Sequence, residues 1–179
     1  MTTDSPDTLR SLLAEYDLAR AYSEALVAHL DPDQVAWRPN ENSSAIGWHL
    51  GHQAAVNHFI VRNLTAAEPS FNTAYDAVFD SATLEPARGS LPPVDEILAY
   101  RSAIASSTAT IIGRIANGDV GAPEQLTVIA HGLLRAVINH EYQHDAWVLE
   151  VRDTMVETPA PVPESAQVIA VEGYWMTTA

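Results

Sequence analysis

Residues 139–145 (Asn-His-Glu-Tyr-Gln-His-Asp) lie in the longest predicted helix of the chain and decide which face of it packs inward. At about 100° of rotation per residue, His140 and His144 return to the same helix face. The apolar positions near them on that face are Leu133, Ala136, Val137, Trp147, Val148 and Val151. The two imidazoles are therefore predicted to face a core, where a buried polar group needs a partner.

A second histidine motif, residues 47–53 (Gly-Trp-His-Leu-Gly-His-Gln), lies in an earlier predicted helix. The i−4, i+3, i+4 and i+7 neighbours of His52 are Trp48, Ala55, Val56 and Phe59. His52 thus also belongs to an apolar stripe, and one metal ion would satisfy His52, His140 and His144 together. His49 is the alternative third ligand. The competing interpretation is three structural histidines, each with its own hydrogen bond.

The remaining three histidines are predicted not to be ligands. His58 lies about 120° from the His52 stripe and His131 about 180° from the His140 stripe, so both are predicted on the surface. His29 follows the first predicted helix, where a histidine can cap free carbonyls.

Composition restricts the class of protein. The 179 residues are predicted to form a single domain, 1–179, with a bundle over about 5–152 and a proline-rich tail over 153–179. A net charge of −14 argues against nucleic acid or an anionic membrane as a partner. The chain has no cysteine, which excludes disulfides, thiolate ligands and a cysteine nucleophile. Without a signal-like start or an apolar run of about 18 residues, a cytoplasmic protein is expected.

Four amphipathic segments predict an all-α four-helix bundle. The first runs from Ser5-Pro6-Asp7 to a stop at Asp31-Pro32-Asp33, and the second from residues 42–44 to about Ala67. The third begins at Pro92 and ends at residues 117–119, and the fourth covers about Glu124 to Arg152.

Two other segments have no long helical pattern. Residues 68–92 contain three prolines and are predicted to be a long loop over the core, or a lid or wall of a ligand pocket. The aromatic residues of that loop, Phe71, Tyr75 and Phe79, are interpreted as having no helical rhythm that would bury them in a bundle. Residues 167–175 alternate in polarity and predict one strand.

The two histidine motifs and the layout of the helices resemble the DinB-like superfamily of metalloenzymes, particularly its DinB_2 branch. Residues 37–40 (Trp-Arg-Pro-Asn) are similar to the approach to the first ligand in the bundle domain of ergothioneine-type sulfoxide synthases. The resemblance implies an up-and-down bundle and a divalent metal, zinc, nickel or iron, on His52, His140 and His144. Those synthases need a second, larger domain, so their complete activity is not implied.

The leading functional hypothesis is a metal-dependent enzyme with a three-histidine site and at least one open coordination position. Single-domain relatives imply thiol-dependent transfer, with a small-molecule substrate and a low-molecular-weight thiol as partners. The alternatives are a metal-dependent hydrolase, an isomerase, cyclase or lyase on a specialised metabolite, and a non-catalytic bundle protein that binds a metal or small molecule. Whether the chain forms a homodimer stays open.

Several polar residues near the motifs are assigned secondary roles. Glu141 and Asp145 are turned away from His140 and are expected to orient an imidazole rather than to act as bases. Arg38 is the candidate anchor for an anionic substrate. The polar residues that could bind other substrate groups are Gln53, Asn57, Asn139 and Gln143.

Overall fold

The structure, a computed structural model, describes residues 6–66, 68–79, 85 and 89–178. The helices of the described residues are α1 (Pro6–Val27), α2 (Pro32–Ala36), α3 (Ile46–Val61), α4 (Thr73–Phe79), α5 (Val94–Ala116) and α6 (Pro123–Arg152). The strands are β1 (Val168–Val171) and β2 (Tyr174–Thr177).

The four long helices α1, α3, α5 and α6 form an all-α bundle, as the amphipathic pattern predicts. Helix α1 packs against α5 and α6, and α3 packs against the same two helices. Buried apolar side chains from every long helix fill the centre, among them Leu12, Leu50, Ile104 and Leu134. Because α3 lies beside α6, the two histidine motifs meet across that helix pair.

The predicted apolar face of α6 is largely confirmed. Val137, Val148 and Val151 are buried, and Trp147 is half-buried. Ala136 is exposed, which corrects the prediction that it belongs to the core-facing stripe.

Helix α3 is enclosed on nearly every side, because 13 of its 16 residues are buried. It ends at Val61, six residues before the predicted end, and the chain folds back along it. His58, predicted on the surface, is therefore buried, and its Nε2 accepts a hydrogen bond from the Phe71 amide at 3.2 Å. Phe59, predicted in the buried stripe, is 63% exposed.

Two short helices were not predicted from the sequence. Asp31, interpreted as part of a helix stop, caps α2, since its side chain accepts from the Gln34 amide while the Gln34 side chain accepts from the Asp31 amide. Helix α4 contains Tyr75 and Phe79, and Phe71 lies just before it in the chain. The interpretation that no helical rhythm buries these aromatics is wrong for Phe79, whereas Phe71 is 52% exposed and Tyr75 is half-buried. Phe79 is fully buried.

The segment predicted as one strand is a two-stranded antiparallel hairpin in which Ile169 pairs with Met176. Glu172 and Gly173, with φ of 50° and 89°, form the two-residue turn between the strands. Strand β2 packs against α6, and the Thr177 amide donates to the Asn139 side chain at 2.9 Å. The tail is thus fixed to α6 one residue before His140.

Across the described ranges, no helix combines the length and the apolar composition that crossing a membrane requires.

Candidate metal centre

His52 of α3 and His140 and His144 of α6 form a compact group. Their ring centroids lie 4.4 Å apart for His140 and His144, 4.6 Å for His52 and His144, and 5.2 Å for His52 and His140. One ring nitrogen from each can be chosen so that all three lie within 4.8 Å of one another. The structure therefore brings together the three residues that the helix phases selected, in an arrangement that could hold a metal ion.

The orientation of His52 is fixed by the end of α4. Its Nδ1 lies 2.7 Å from the Phe79 carbonyl oxygen, and a carbonyl only accepts, so Nδ1 carries the proton. The lone pair of the neutral ring is then on Nε2. Trp48 stacks on the ring at 4.6 Å and donates from its own Nε1 to the Val78 carbonyl at 3.0 Å. A backbone carbonyl behind a ligating histidine is a common support for a metal site.

Gly51 allows the end of α4, which orients His52, to pack closely against α3. A Cβ atom at position 51 would lie 2.3 Å from the Phe79 ring, well inside contact distance. The glycine of the first motif is therefore needed for the packing of α4 against α3, on which the contact between Phe79 and His52 depends.

His140 and His144 are held in the neutral form, which is the form that binds metal. Burial, together with the neighbouring histidines, lowers the pKa of His49 to about 3 and that of His140 to about 4. The same causes lower the pKa of His144 well below its usual range. His49 is buried as well, and its Nδ1 lies 2.8 Å from Nδ1 of His144. Three neutral imidazoles suit zinc, nickel or iron.

The three histidines line a cavity of about 540 Å³, a volume suited to a small molecule. Its remaining wall combines two indoles with polar side chains. The other lining residues are Asn42, Ser43, Ser44, Trp48, His49, Gln143, Trp147, Glu150 and Val151. The site thus has imidazoles on one side and space for a ligand on the other. The described part of the 68–92 segment does not line this cavity; it is tied down over the core through Phe79 instead.

A buried polar network lies on the other side of the same helices. Arg101 of α5 donates to the Leu50 carbonyl at 2.8 Å, to the Gln53 side chain at 2.8 Å and to Glu141 at 2.9 Å. Gln53 in turn donates to Asp145 at 3.0 Å. This network ties α3, α5 and α6 together and so fixes how the histidine faces of α3 and α6 meet.

The network corrects the expected roles of Glu141 and Asp145. Both were expected to orient an imidazole, but each turns into the network, where Ser23 also donates to them at 3.3 and 3.1 Å. Their rotation of about 100° and 140° from His140 places them behind the helix rather than beside the site. Burial and the charge of Glu141 raise the pKa of Asp145 to about 8.

Most of the polar residues proposed as substrate contacts have structural partners instead. Asn57 donates to the Tyr16 hydroxyl at 2.6 Å, and Asn139 holds β2. Arg38, the candidate anion anchor, pairs with Glu85, and its Nε donates to that carboxylate at 2.7 Å. Gln143 alone of the expected set is a cavity residue among those described.

Sequence reasoning missed two contributors to the site. The Phe79 carbonyl is a backbone group, which no side-chain motif reports. Arg101 stands on the buried face of α5, and an arginine within an apolar stripe was the available signal. His131, by contrast, is half-buried and His29 exposed, and neither belongs to the histidine group.

The protein is a helical bundle in which histidines from two facing helices form one group that could hold a metal ion. The family model DinB_2, described as the DinB superfamily, matches residues 15–148. The chain therefore belongs to the DinB superfamily. A search of the curated proteins found no match.

Proposed function

We propose that this chain is a metal-dependent enzyme in which His52, His140 and His144 hold one divalent zinc, nickel or iron ion. The observation that carries the proposal is that all three imidazoles line one cavity. Structural zinc sites normally have four protein ligands, whereas catalytic sites have three and an open position. A three-histidine group beside a cavity matches the catalytic pattern.

The residues around the site would orient the histidine ligands and the substrate. The Phe79 carbonyl holds His52, and the indoles of Trp48 and Trp147 keep water from the rings. When bound, the metal would lower the pKa of a thiol or water, or polarise a carbonyl. Gln143 and Glu150, on the cavity wall, would bind the polar groups of the substrate.

The reaction that we propose is transfer of a low-molecular-weight thiol to a small molecule. Since the chain has no cysteine, the sulfur nucleophile has to be a cosubstrate. In such a step a sulfur–carbon bond forms while the S–H bond and the bond between that carbon and its leaving group break, and the proton leaves with the displaced group. Membership of the DinB superfamily is compatible with this chemistry.

The charge of the cavity restricts the substrate. Among the described lining residues, Glu150 is the one with a formal charge when the histidines are neutral. The chain as a whole has a net charge of −14. A thiol that is neutral or carries an ammonium group is therefore favoured over one with several carboxylates.

The test uses cobalt-loaded protein, because cobalt(II) reports its ligands by absorption. Cysteamine should produce a sulfur-to-cobalt charge-transfer band. Ethanolamine, which has a hydroxyl group in place of the thiol, should not. Glutathione, with two carboxylates, should bind more weakly than cysteamine. A spectrum that responds to azide but to neither thiol would favour the isomerase or hydrolase alternative. A spectrum that responds to no added ligand would favour the non-catalytic binding protein.

A further inference from the structure

We propose that His49 is a positioning residue and not a fourth metal ligand: it holds His144 in the tautomer that binds metal and presents its own N–H to the cavity. This inference rests on the proposed function. The observation that carries it is the contact of 2.8 Å between Nδ1 of His49 and Nδ1 of His144. The contact lies within the buried wall of the cavity, where His49 is 6% exposed.

The separation fits a hydrogen bond better than shared coordination. Two nitrogen ligands about 2.0–2.1 Å from a tetrahedral zinc ion lie about 3.3 Å apart. A distance of 2.8 Å is normal for an N–H group and its acceptor. The group of ring nitrogens within 4.8 Å of one another, moreover, contains His52, His140 and His144 without His49.

The hydrogen bond fixes which nitrogen of His144 is free. Two neutral imidazoles that meet through their Nδ1 atoms share one proton there, so one donates and the other accepts. If His144 binds metal through Nε2, its proton is on Nδ1 and is donated to His49. His144 then resembles His52, whose Nδ1–H is held by the Phe79 carbonyl oxygen. A hydrogen bond donated by Nδ1 thus orients one histidine on each of the two facing helices.

The same hydrogen bond also fixes the position of the proton on His49. Because its Nδ1 accepts, the neutral ring carries its proton on Nε2. Among the described residues, no protein group is paired with that nitrogen, and His49 lines the cavity. The ring is held by Trp48 at 5.3 Å and Trp147 at 5.8 Å between centroids. His49 thereby supplies a fixed N–H donor for a substrate atom with lone pairs, such as a carbonyl oxygen or a sulfur.

The first experiment measures the tautomers directly. Long-range ¹H–¹⁵N correlation spectra of zinc-loaded protein with ¹⁵N-labelled histidine distinguish a protonated, a free and a metal-bound nitrogen. We expect His52 and His144 to show Nδ1–H with metal-bound Nε2, and His49 to show Nε2–H with an accepting Nδ1. A metal-bound nitrogen in His49, or a proton on its Nδ1, would overturn the proposal.

The second experiment separates positioning from ligation with two variants. Asn offers an oxygen near the place of Nδ1, so His49→Asn should retain one zinc ion with an affinity within about threefold of wild type. His49→Phe keeps the shape but leaves the His144 N–H unpaired, and should bind one zinc ion about 10–100-fold more weakly. If both variants lose zinc as fully as His52→Ala does, His49 is a ligand and the proposal fails. If wild type itself binds no zinc, it is the proposed function that fails.

Discussion

At the scale of single residues, helix phase identified the metal-ligand candidates because each imidazole points where its own helix turns it. Helix phase placed His52, His140 and His144 on core-facing stripes, and the structure brings them together in one group. It did not place His58, because the burial of that side chain depends on the segment around Phe71, which follows α3 and folds back over it. The partner of His49 was equally hidden, since it belongs to the facing helix.

Removal of one candidate ligand should abolish tight metal binding. We expect His52→Ala and His140→Ala each to weaken zinc affinity by more than about 100-fold, because two imidazoles compete poorly with water. Calorimetric titration of the metal-free proteins measures this. The control is His131→Ala, on the same helix as His140 but outside the histidine group, which should bind like wild type. Unchanged affinity in His140→Ala would show that the metal lies elsewhere.

The stability of the metal-free protein should be greatest near pH 6.5. The pKa of His140 is about 4 and that of His49 about 3 in the folded state, against 6.5 for the unfolded chain. The unfolded state therefore binds more protons below pH 6.5, and stability falls as the pH drops from 6.5 toward 4. The pKa of Asp145 is about 8 when folded and 3.8 when unfolded, so its contribution is lost as the pH rises toward 8.

Urea unfolding at pH 5, 6.5 and 8 measures both limbs of this profile. Asp145→Asn, which is neutral at every pH, should remove the fall between pH 6.5 and 8 and make the acid limb steeper, because the contribution of Asp145 already declines as the pH rises above 3.8. A variant that keeps the alkaline fall would show that another group causes it.

At the scale of elements, α5 and α6 were predicted well because long amphipathic helices with proline or glycine at their ends carry their own boundaries. The third predicted helix matches α5 (Val94–Ala116), and the fourth matches α6 (Pro123–Arg152). The short helices α2 and α4 were missed because each has too few turns to establish a period, so local capping and tertiary packing determine them. The hairpin was read as one strand because its Glu-Gly turn lacks the usual asparagine or aspartate.

The packing of α4 against α3 should control the metal site. Gly51→Ala places a methyl group against the Phe79 ring, which must shift and draw its carbonyl away from His52. We expect a loss of about 1–3 kcal/mol in the free energy of unfolding and a zinc affinity about tenfold weaker. Thermal unfolding and calorimetry measure the two effects.

Gly132→Ala is the matched control for that variant. A Cβ at position 132 of α6 meets no atom within 4 Å, so alanine there should stabilise the helix by up to about 1 kcal/mol and leave zinc affinity unchanged. Equal behaviour of the two variants would contradict a role for close packing at Gly51.

At the scale of the whole molecule, one buried arginine links three of the four long helices. Arg101 is 1% exposed and joins α5 to Leu50 and Gln53 of α3 and to Glu141 of α6. Sequence patterns predicted the four helices and their inward faces. They could not predict this network, since its members come from distant parts of the chain and two of them were assigned to the metal site.

Loss of the arginine should therefore destabilise the entire bundle. Arg101→Met leaves Glu141 buried without its ion pair, and we expect a loss of about 3–5 kcal/mol in the free energy of unfolding. Arg10→Met removes an arginine whose pair with Asp7 is exposed, and should cost less than about 1 kcal/mol. Chemical denaturation compares them, and similar losses in both would refute the importance of the buried network.

We propose that the bundle holds one metal ion on three histidines and does not need that ion in order to fold. The most direct measurement is calorimetric titration of zinc into chelator-treated wild-type protein, with circular dichroism recorded before and after. We expect one equivalent to bind with Kd below about 1 µM and the helical signal to remain unchanged, because the apolar core already forms the bundle. Absence of binding would contradict the metal site, and unfolding on metal removal would show that any bound metal is structural.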